Sequence, residues 1–339
     1  MSPRPARPDQ PEPFLRGCRF AAAPGVPYPR ADGRDFTRLP IDTWGTAQVP
    51  ATVRLELVGD AEAVEIAYRT ETEDLGYRGD GAGTTFALWR DGAQVAEEKA
   101  VLGEGAVRLA MRAPGLDATG ERAIVYLPEG MRPTVLSIDG VGGTVEPAPP
   151  QHRWVAYGDS IAEGWVASGP SGAWPAIAGR THRLDVCNMG YAGSARGEIV
   201  SAEHVATLDA DVISITHGTN CWTRIPFSVE MMRAGTAAFI DVVRQGHPET
   251  PIVVSSPVVR PDAEATPNRL GATLADLRAV MEEVAQARVD AGDKRLTLVP
   301  GGDIIGPELL ADGIHPGDEG HRVLADVIGG AVRDALDRS

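Results

Sequence analysis

Four short segments in the second half of the chain carry side chains that together could transfer an acyl group. In order they are residues 158–161 (Gly-Asp-Ser-Ile), 188–193 (Asn-Met-Gly-Tyr-Ala-Gly), 218–220 (Gly-Thr-Asn) and 312–316 (Asp-Gly-Ile-His-Pro). A serine hydroxyl is a poor nucleophile unless a neighbouring base accepts its proton. We predict that Ser160 is the nucleophile and His315 the base. Asp312, three residues earlier on a loop, is expected to orient the imidazole and stabilise the imidazolium that forms.

Acyl transfer also places negative charge on the former carbonyl oxygen, and fixed hydrogen-bond donors around that oxygen lower the barrier. We predict three donors: the Ser160 N–H, the Gly193 N–H and the Asn220 side-chain amide. Glycine leaves the backbone accessible to substrate. Gly190 or Gly197 could replace Gly193 in this role. His217, beside the third segment, could line the pocket, but we expect no proton transfer from it.

Each segment taken alone has a simpler structural interpretation. Ser160 could cap the following helix, and Gly193 could be an ordinary turn glycine. Asn220 could be a cap or turn residue, and Asp312 could cap a turn in which His315 faces solvent. The order of the four segments and their complementary roles favour the catalytic interpretation.

The set resembles the SGNH, or GDSL, family of serine ester hydrolases and acyltransferases, which is named for these Ser, Gly, Asn and His positions. The resemblance covers roughly residue 154 to the C-terminus. It implies an α/β fold, a flavodoxin-like three-layer α/β/α sandwich with a parallel sheet and a shallow active site. Two positions depart from the family pattern: Ile161 replaces Leu, and Cys221 follows Asn220 where Asp is common. The group that supports the Asn220 side chain must therefore differ from the one in the common family pattern. Ala162 stands where the serine elbow of α/β-hydrolases needs Gly.

The elements around these segments agree with that fold. Short apolar runs without clean alternation are typical of parallel strands covered on both faces, and they occur at residues 154–157, 185–188, 211–216, 252–255 and 296–299. Helical spacing of apolar residues follows at 229–243, 270–284 and 323–332. The alternation predicts an open parallel sheet with helices on both faces. Reactive groups gather at the carboxyl ends of such strands, where Ser160 would lie.

The first half of the chain has a different pattern. Apolar residues alternate with charged or small ones at 53–57, 64–68 and 107–111, and Asp91-Gly92 is a favoured hairpin turn. This predicts a β-sandwich, similar to a jelly roll. A Gly- and Pro-rich stretch at 140–151 suits a linker. We predict a flexible N-terminal segment (1–17), a β-sandwich accessory domain (18–146), a linker (147–152) and an SGNH catalytic domain (153–339).

The composition of the chain limits the classes of partner that we expect. The 47 acidic and 32 basic residues give a net charge of -15, so nucleic acid and anionic membranes are poor partners. No apolar run is long enough for a signal-peptide core or a membrane span, which favours a cytoplasmic location. Cys18, Cys187 and Cys221 are widely spaced, and reduced thiols fit better than disulfides or a zinc site. We expect no metal and no cofactor.

The leading hypothesis is a serine-dependent hydrolase of small acyl esters that forms an acyl-enzyme on Ser160. The alternative is an acyltransferase to a hydroxyl of a small molecule or sugar, which differs in how well the cleft excludes water. Trp165, Trp174 and Trp222 could shape such a cleft. A β-rich domain ahead of an SGNH domain resembles carbohydrate esterases and a GDSL acyltransferase of tetracycline biosynthesis. A third hypothesis is a non-catalytic carbohydrate-binding protein, with candidate sugar-stacking rings at Trp44, Trp89, Tyr68 and Tyr77.

Overall fold

The structure is a computed structural model that describes residues 11–73, 83–112 and 121–339. Its first part is antiparallel, with strands β1 (Leu15–Arg16), β2 (Arg54–Gly59), β3 (Ala63–Thr70), β4 (Thr85–Arg90), β5 (Ala93–Lys99), β6 (Gly103–Ala110), β7 (Ala123–Tyr126), β8 (Pro133–Val141) and β9 (Val145–Pro147). Helix α1 (Ile41–Ala47) lies between β1 and β2.

The second part alternates strands and helices. Its strands are β10 (His152–Gly158), β11 (Leu184–Gly190), β12 (Val212–Thr216), β13 (Ile252–Ser255) and β14 (Leu296–Val299). Its helices are α2 (Ser160–Glu163), α3 (Trp174–His182), α4 (Ile199–Thr207), α5 (Val229–Gly246), α6 (Leu274–Asp290), α7 (Asp318–Leu324) and α8 (Gly330–Asp337). A π-helical turn, Ala325–Gly329, joins α7 to α8.

The antiparallel strands form the predicted β-sandwich. One sheet has the order β1-β2-β7-β4-β5 with β9 paired to β2, and the other has the order β6-β3-β8. Alternate residues of both sheets share one core, among them Leu55, Leu57, Val64, Ile66 and Phe86. The β4–β5 hairpin turns through Asp91 (φ 51°) and Gly92 (φ 75°). Two positive φ values match the twist of the strands, so the predicted turn is confirmed.

The described part of the N-terminal segment is packed, contrary to the expected flexibility of residues 1–17. Phe14 is 1% exposed within the sandwich core, and β1 pairs with β2 through Leu15 opposite Leu55. Burial of an aromatic ring and the strand pairing explain the order of residues 11–17. Residues 1–10 lie outside the described part.

Residues 30–47, which the sequence assigned to the accessory domain, pack against the α/β layers instead of the sandwich core. Ala31, Leu39 and Ala47 belong to the same apolar cluster as Val155 and Met189 of the parallel sheet. The N-terminal region therefore contributes directly to the core that supports β10 and β11.

The second part has the predicted three-layer α/β/α fold. All strands of its five-stranded sheet run parallel, in the order β11-β10-β12-β13-β14. This is the flavodoxin-like order, in which the first strand lies between the second and the third. One face packs on α4, α5 and α6 through Val205, Phe239 and Leu277. The other face packs on α3, α7 and α8.

One helix begins later than its apolar spacing predicts, because capping residues determine where it starts. Helix α6 begins at Leu274, not Leu270, because Thr273 and Asp276 form a reciprocal capping box. Leu270 is exposed. Within the described ranges, no helix combines the length and apolar character needed to cross a membrane.

Candidate active site

Ser160 begins α2 one residue beyond the carboxyl end of β10, which lies between β11 and β12 in the sheet. A side chain at Gly158 would place its Cβ 2.4 Å from the Ala162 Cβ and 2.5 Å from the Thr216 Oγ1, so glycine is required there. The Asp159 carboxylate caps α2 by accepting the Ile161 N–H at 3.0 Å. The cap is thus Asp159 rather than Ser160. As the first helical residue, Ser160 has an N–H without an intrahelical acceptor.

Asp159 is a buried carboxyl. Burial raises its pKa to about 6, although hydrogen bonds from the Ile161 and Thr219 N–H groups and the charge of His315 act in the opposite direction. Ionisation of Asp159 therefore destabilises the folded state.

Ser160, His315 and Asp312 form a continuous hydrogen-bond chain. The Ser160 Oγ lies 2.9 Å from the His315 Nε2, and the His315 Nδ1 lies 2.7 Å from the Asp312 Oδ2. The other carboxylate oxygen accepts the N–H groups of Ile314 at 2.9 Å and His315 at 2.7 Å. Asp312 thus caps its turn and holds the imidazole at once. His315 faces Ser160, so the arrangement in which it faces solvent is excluded.

The Asp312 carboxyl favours its ionised form. Partial burial acts to raise its pKa, but hydrogen bonds from the His315 ring and from the backbone N–H groups of His315 and Ile314 outweigh burial. The net effect lowers the pKa of Asp312 from its ordinary value. A carboxylate on the Nδ1 side fixes that nitrogen as the donor and leaves Nε2 to accept a proton.

Gly193 lies in the loop after β11 and has a backbone N–H available to a ligand. Its φ is 67°, and a Cβ there would meet nothing within 4 Å, so open space adjoins this glycine. The Gly190 N–H donates to the Asn188 Oδ1 at 2.8 Å, and the Gly197 N–H donates to the Tyr157 hydroxyl at 3.0 Å. Among the described residues, the Gly193 N–H has no acceptor. Of the three glycines, only Gly193 combines open space with an unused N–H.

Asn220 lies in a short 3₁₀ turn, Thr219–Cys221, after β12. Its side-chain Nδ2 donates to the Ser194 carbonyl, which follows Gly193 in the chain. An amide nitrogen carries two hydrogens, so this bond orients the group and uses one of them. The family's usual Asp after Asn220 is replaced by buried Cys221. The support of Asn220 comes from the Ser194 carbonyl instead.

Trp165 is the tryptophan of the three candidates that lies beside the imidazole. Its ring centroid is 5.5 Å from that of His315. Trp174 is 1% exposed and packs against Trp154 in the core, so it does not shape a cleft. Buried His321 holds this region, since its Nε2 bonds the Trp165 carbonyl at 3.1 Å and its Nδ1 accepts the Trp174 N–H at 3.3 Å. The sequence had no signal for that role.

His217 is a core residue and does not line a pocket. It is 1% exposed and packs between the rings of Tyr157 and Phe239. Burial lowers its pKa to about 4, so the imidazole is neutral at physiological pH.

Trp222, the third candidate tryptophan, donates from its Nε1 to the Thr266 carbonyl at 2.8 Å.

Sequence reasoning also missed a buried ion pair next to the site. Arg30 and Glu163 are 0% and 1% exposed and lie 2.8 Å apart, Nη2 to Oε1. The other Glu163 oxygen accepts the Ala192 N–H at 2.7 Å. The pair joins residues 133 positions apart. No local pattern in a sequence reports such a contact.

Within residues 11–73, 83–112 and 121–339, no group of His, Cys, Asp or Glu side chains is arranged to hold a metal ion. Cys18, Cys187 and Cys221 are free thiols.

Comparisons with known proteins agree with this fold. A comparison with curated protein sequences finds no match. Among solved structures, the salicylyl-acyltransferase SsfX3 from a tetracycline biosynthetic pathway is 25% identical, with a TM-score of 0.80 over 98% of both chains. A candidate GDSL-like lipase from Bacteroides ovatus is 21% identical, with a TM-score of 0.77 over 96% of both chains. A family two carbohydrate esterase from Clostridium thermocellum is 16% identical, with a TM-score of 0.60 over 84% of this chain and 92% of that one.

The family model of GDSL-like lipases and acylhydrolases matches residues 156–323. That range contains Ser160, Gly193, Asn220, Asp312 and His315. Members of this family hydrolyse acyl esters or transfer acyl groups. The chain therefore contains a domain of the GDSL-like lipase/acylhydrolase family and is an enzyme.

Proposed function

We propose that this enzyme hydrolyses small acyl esters through an acyl-enzyme on Ser160. The observation that carries the proposal is the hydrogen-bond chain from the Ser160 Oγ through His315 to Asp312, with distances of 2.9 Å and 2.7 Å. A hydroxyl bonded to an imidazole that a carboxylate orients is the arrangement that activates serine.

In the first half-reaction, the Ser160 Oγ attacks the ester carbonyl carbon while its proton moves to the His315 Nε2. The Asp312 carboxylate stabilises the imidazolium and remains ionised. Collapse of the tetrahedral intermediate breaks the bond to the leaving alcohol, which takes the proton from Nε2. Ser160 is left acylated and His315 neutral.

Three donors would stabilise the oxyanion of that intermediate: the N–H groups of Ser160 and Gly193 and the Nδ2 of Asn220. The unused N–H and the open space at Gly193 support this assignment. The Ser194 carbonyl orients the Asn220 amide before substrate binds. Donors held in place in advance need no reorganisation during the reaction, which is why they lower the barrier.

In the second half-reaction, His315 accepts a proton from water, the hydroxide oxygen attacks the acyl carbon, and Ser160 leaves with the proton. A hydroxylated acceptor in place of water makes the same enzyme an acyltransferase. Similarity to SsfX3 along 98% of the chain supports this second candidate. The Trp165 ring beside the imidazole would help exclude water from the acyl-enzyme.

A panel of small esters, assayed with and without alcohol acceptors, tests both candidates. Hydrolysis and transfer products are separated by mass, and purified Ser160→Ala serves as the control. The proposal predicts turnover by the wild type and less than about a tenth of that rate for Ser160→Ala, because losing the nucleophile costs orders of magnitude. A Ser160→Ala variant above that rate would refute the acyl-enzyme. Transfer products that exceed acid product at low acceptor concentration would select the transferase.

A carbohydrate-binding role for the sandwich has less support. Tyr68 is 1% exposed, and Trp44 packs against the α/β core. Trp89 lines a groove of about 1380 Å³ that also includes Arg180 and Asp318, but the Arg180 guanidinium covers its ring at 3.9 Å. Tyr77 lies outside the described residues. Buried Tyr68 and the face of Trp89 that Arg180 covers are therefore not available to stack on a sugar.

A further inference from the structure

Residues 30–47 precede the range matched by the family model, yet they contact the loop that carries Gly193. We call residues 190–196 the oxyanion loop, after the role proposed for Gly193. The Tyr191 hydroxyl donates to the Arg30 carbonyl at 2.6 Å, and the hydroxyls of Thr43 and Ser194 share a hydrogen bond. An N-terminal segment outside the family range thus contacts the loop at several points.

The first group of contacts between residues 30–47 and the oxyanion loop centres on the Arg30 guanidinium. It is fully buried, and its Nη2 donates to the Glu163 Oε1 at 2.8 Å and to the Thr46 carbonyl at 2.7 Å. Its Nη1 donates to the Gly190 carbonyl, at the start of the oxyanion loop. A buried ion pair stabilises a fold only when its remaining donors are satisfied, and these carbonyls satisfy them.

Glu163 connects this cation to both halves of the site. It is the last residue of α2, whose first residue is Ser160, and its Oε2 accepts the Ala192 N–H at 2.7 Å. A Cβ on Gly190 would lie 2.3 Å from the Glu163 nitrogen, so helix and loop are in direct contact. One carboxylate therefore joins the helix of Ser160 to the residue that precedes Gly193.

A second ion pair holds the other side of Gly193. The Arg196 Nη2 donates to the Gly193 carbonyl at 2.9 Å and to the Asp42 Oδ2 at 2.7 Å. Asp42 lies in the first turn of α1. The residues on both sides of the Gly193 N–H are thus tied to residues 30–47.

We propose that residues 30–47 form a brace that positions the Gly193 N–H relative to Ser160, through Arg30 with Glu163 and through Asp42 with Arg196. The inference rests on the proposed function, because it assumes that this N–H serves the oxyanion. Arg30 and Glu163 are positioning residues and do not touch substrate. A displacement of about 1 Å in such a site costs roughly 10²-fold in rate.

Glu163→Gln tests the brace with little change in side-chain size. It should lower kcat by about 10- to 100-fold and leave KM within about twofold, since the bond to the oxyanion strengthens in the transition state. Affinity for a boronic acid that forms a tetrahedral adduct on Ser160 should fall by the same factor. Asp42→Asn should lower kcat by a smaller factor, about 3- to 10-fold, because Asp42 is partly exposed and Arg196 keeps its bond to Gly193.

Glu56→Gln is the matched control, because the Arg54–Glu56 pair of the sandwich has side chains 3% and 1% exposed at 2.8 Å. It should lower the melting temperature and leave kcat unchanged. If Glu163→Gln does not fold, the double variant Arg30→Met/Glu163→Met replaces the pair with apolar side chains, an exchange that buried pairs often tolerate. That variant should fold, and its kcat should remain below that of the wild type.

Wild-type kcat and boronate affinity in a folded Glu163 variant and in Asp42→Asn would overturn the brace. Ser160→Ala, assayed in parallel, separates the two claims. Turnover by Ser160→Ala would refute the proposed function. If Ser160→Ala has no activity and the Glu163 and Asp42 variants are fully active, the brace is refuted and the proposed function stands.

Discussion

Replacing Asn220 by alanine separates a catalytic amide from a structural one. In the structure the Asn220 side chain is buried, and its Nδ2 donates to the Ser194 carbonyl. The backbone carbonyl of Asn220 accepts the Thr223 hydroxyl at 3.1 Å, and this bond does not depend on the side chain. The substitution therefore removes one internal hydrogen bond and, in our proposal, one donor to the oxyanion.

The two losses have different sizes and different readouts. An unsatisfied buried Ser194 carbonyl should lower the free energy of unfolding by about 1–3 kcal/mol. Loss of the oxyanion donor should raise the barrier by about 2.7–4 kcal/mol, which lowers kcat by roughly 10²- to 10³-fold. KM should change little, because the hydrogen bond strengthens mainly in the transition state.

The assay is kcat, KM and denaturant unfolding on the same purified Asn220→Ala protein. Asn268→Ala is the control, since the Asn268 Nδ2 also donates to a backbone carbonyl, that of Phe227 at 2.9 Å, and we assign Asn268 no contact with substrate. We expect Asn268→Ala to lose stability and keep its kcat. An Asn220→Ala protein that is destabilised but fully active per folded molecule would remove Asn220 from the oxyanion site.

Three further outcomes follow from the same geometry. Asp312→Asn should lower kcat by about 10⁴-fold, the loss known for the equivalent change in a Ser-His-Asp enzyme, because the imidazole loses its carboxylate; near-normal kcat would contradict the role of Asp312. The folded-state pKa of Asp159, about 6, exceeds its unfolded value near 3.8, so its stabilising contribution is complete below about pH 3.8 and is lost as pH rises through 6. Unfolding at pH 4 and pH 7 should show the wild type losing roughly 2 kcal/mol relative to Asp159→Asn; parallel profiles would contradict this. Activity should persist in EDTA, and its loss with recovery on zinc addition would reveal a metal site.

The sequence predicted the α/β layers well because parallel strands buried on both faces are continuous apolar runs. The run at 154–157 lies within β10 (His152–Gly158), and the run at 185–188 lies within β11 (Leu184–Gly190). The motif residues follow those strands, so their gathering at one sheet edge could be predicted from order alone. The hairpin at Asp91-Gly92 was predictable for a similar reason, since the turn type demands those residues.

Contacts between distant parts of the chain were not predictable. Arg30 and Glu163 resemble ordinary surface residues in the sequence, and only the fold brings them together in the core. The same holds for Phe14, whose burial replaces the expected flexible segment at residues 11–17. His217 gave a misleading signal, because its position beside Gly218 suggested a pocket, whereas its ring packs among aromatic side chains.

Covalent labelling of the nucleophile tests the central claim most directly. An activated p-nitrophenyl phosphonate ester phosphonylates an activated serine and leaves an adduct that resembles the tetrahedral intermediate. We expect one adduct per chain by intact mass, located at Ser160 by peptide mapping, with activity lost in proportion to labelling. His315→Ala should label far more slowly, because the base is absent. Inactivation with the label at another residue, or full labelling of Ser160 with undiminished ester turnover, would contradict the account.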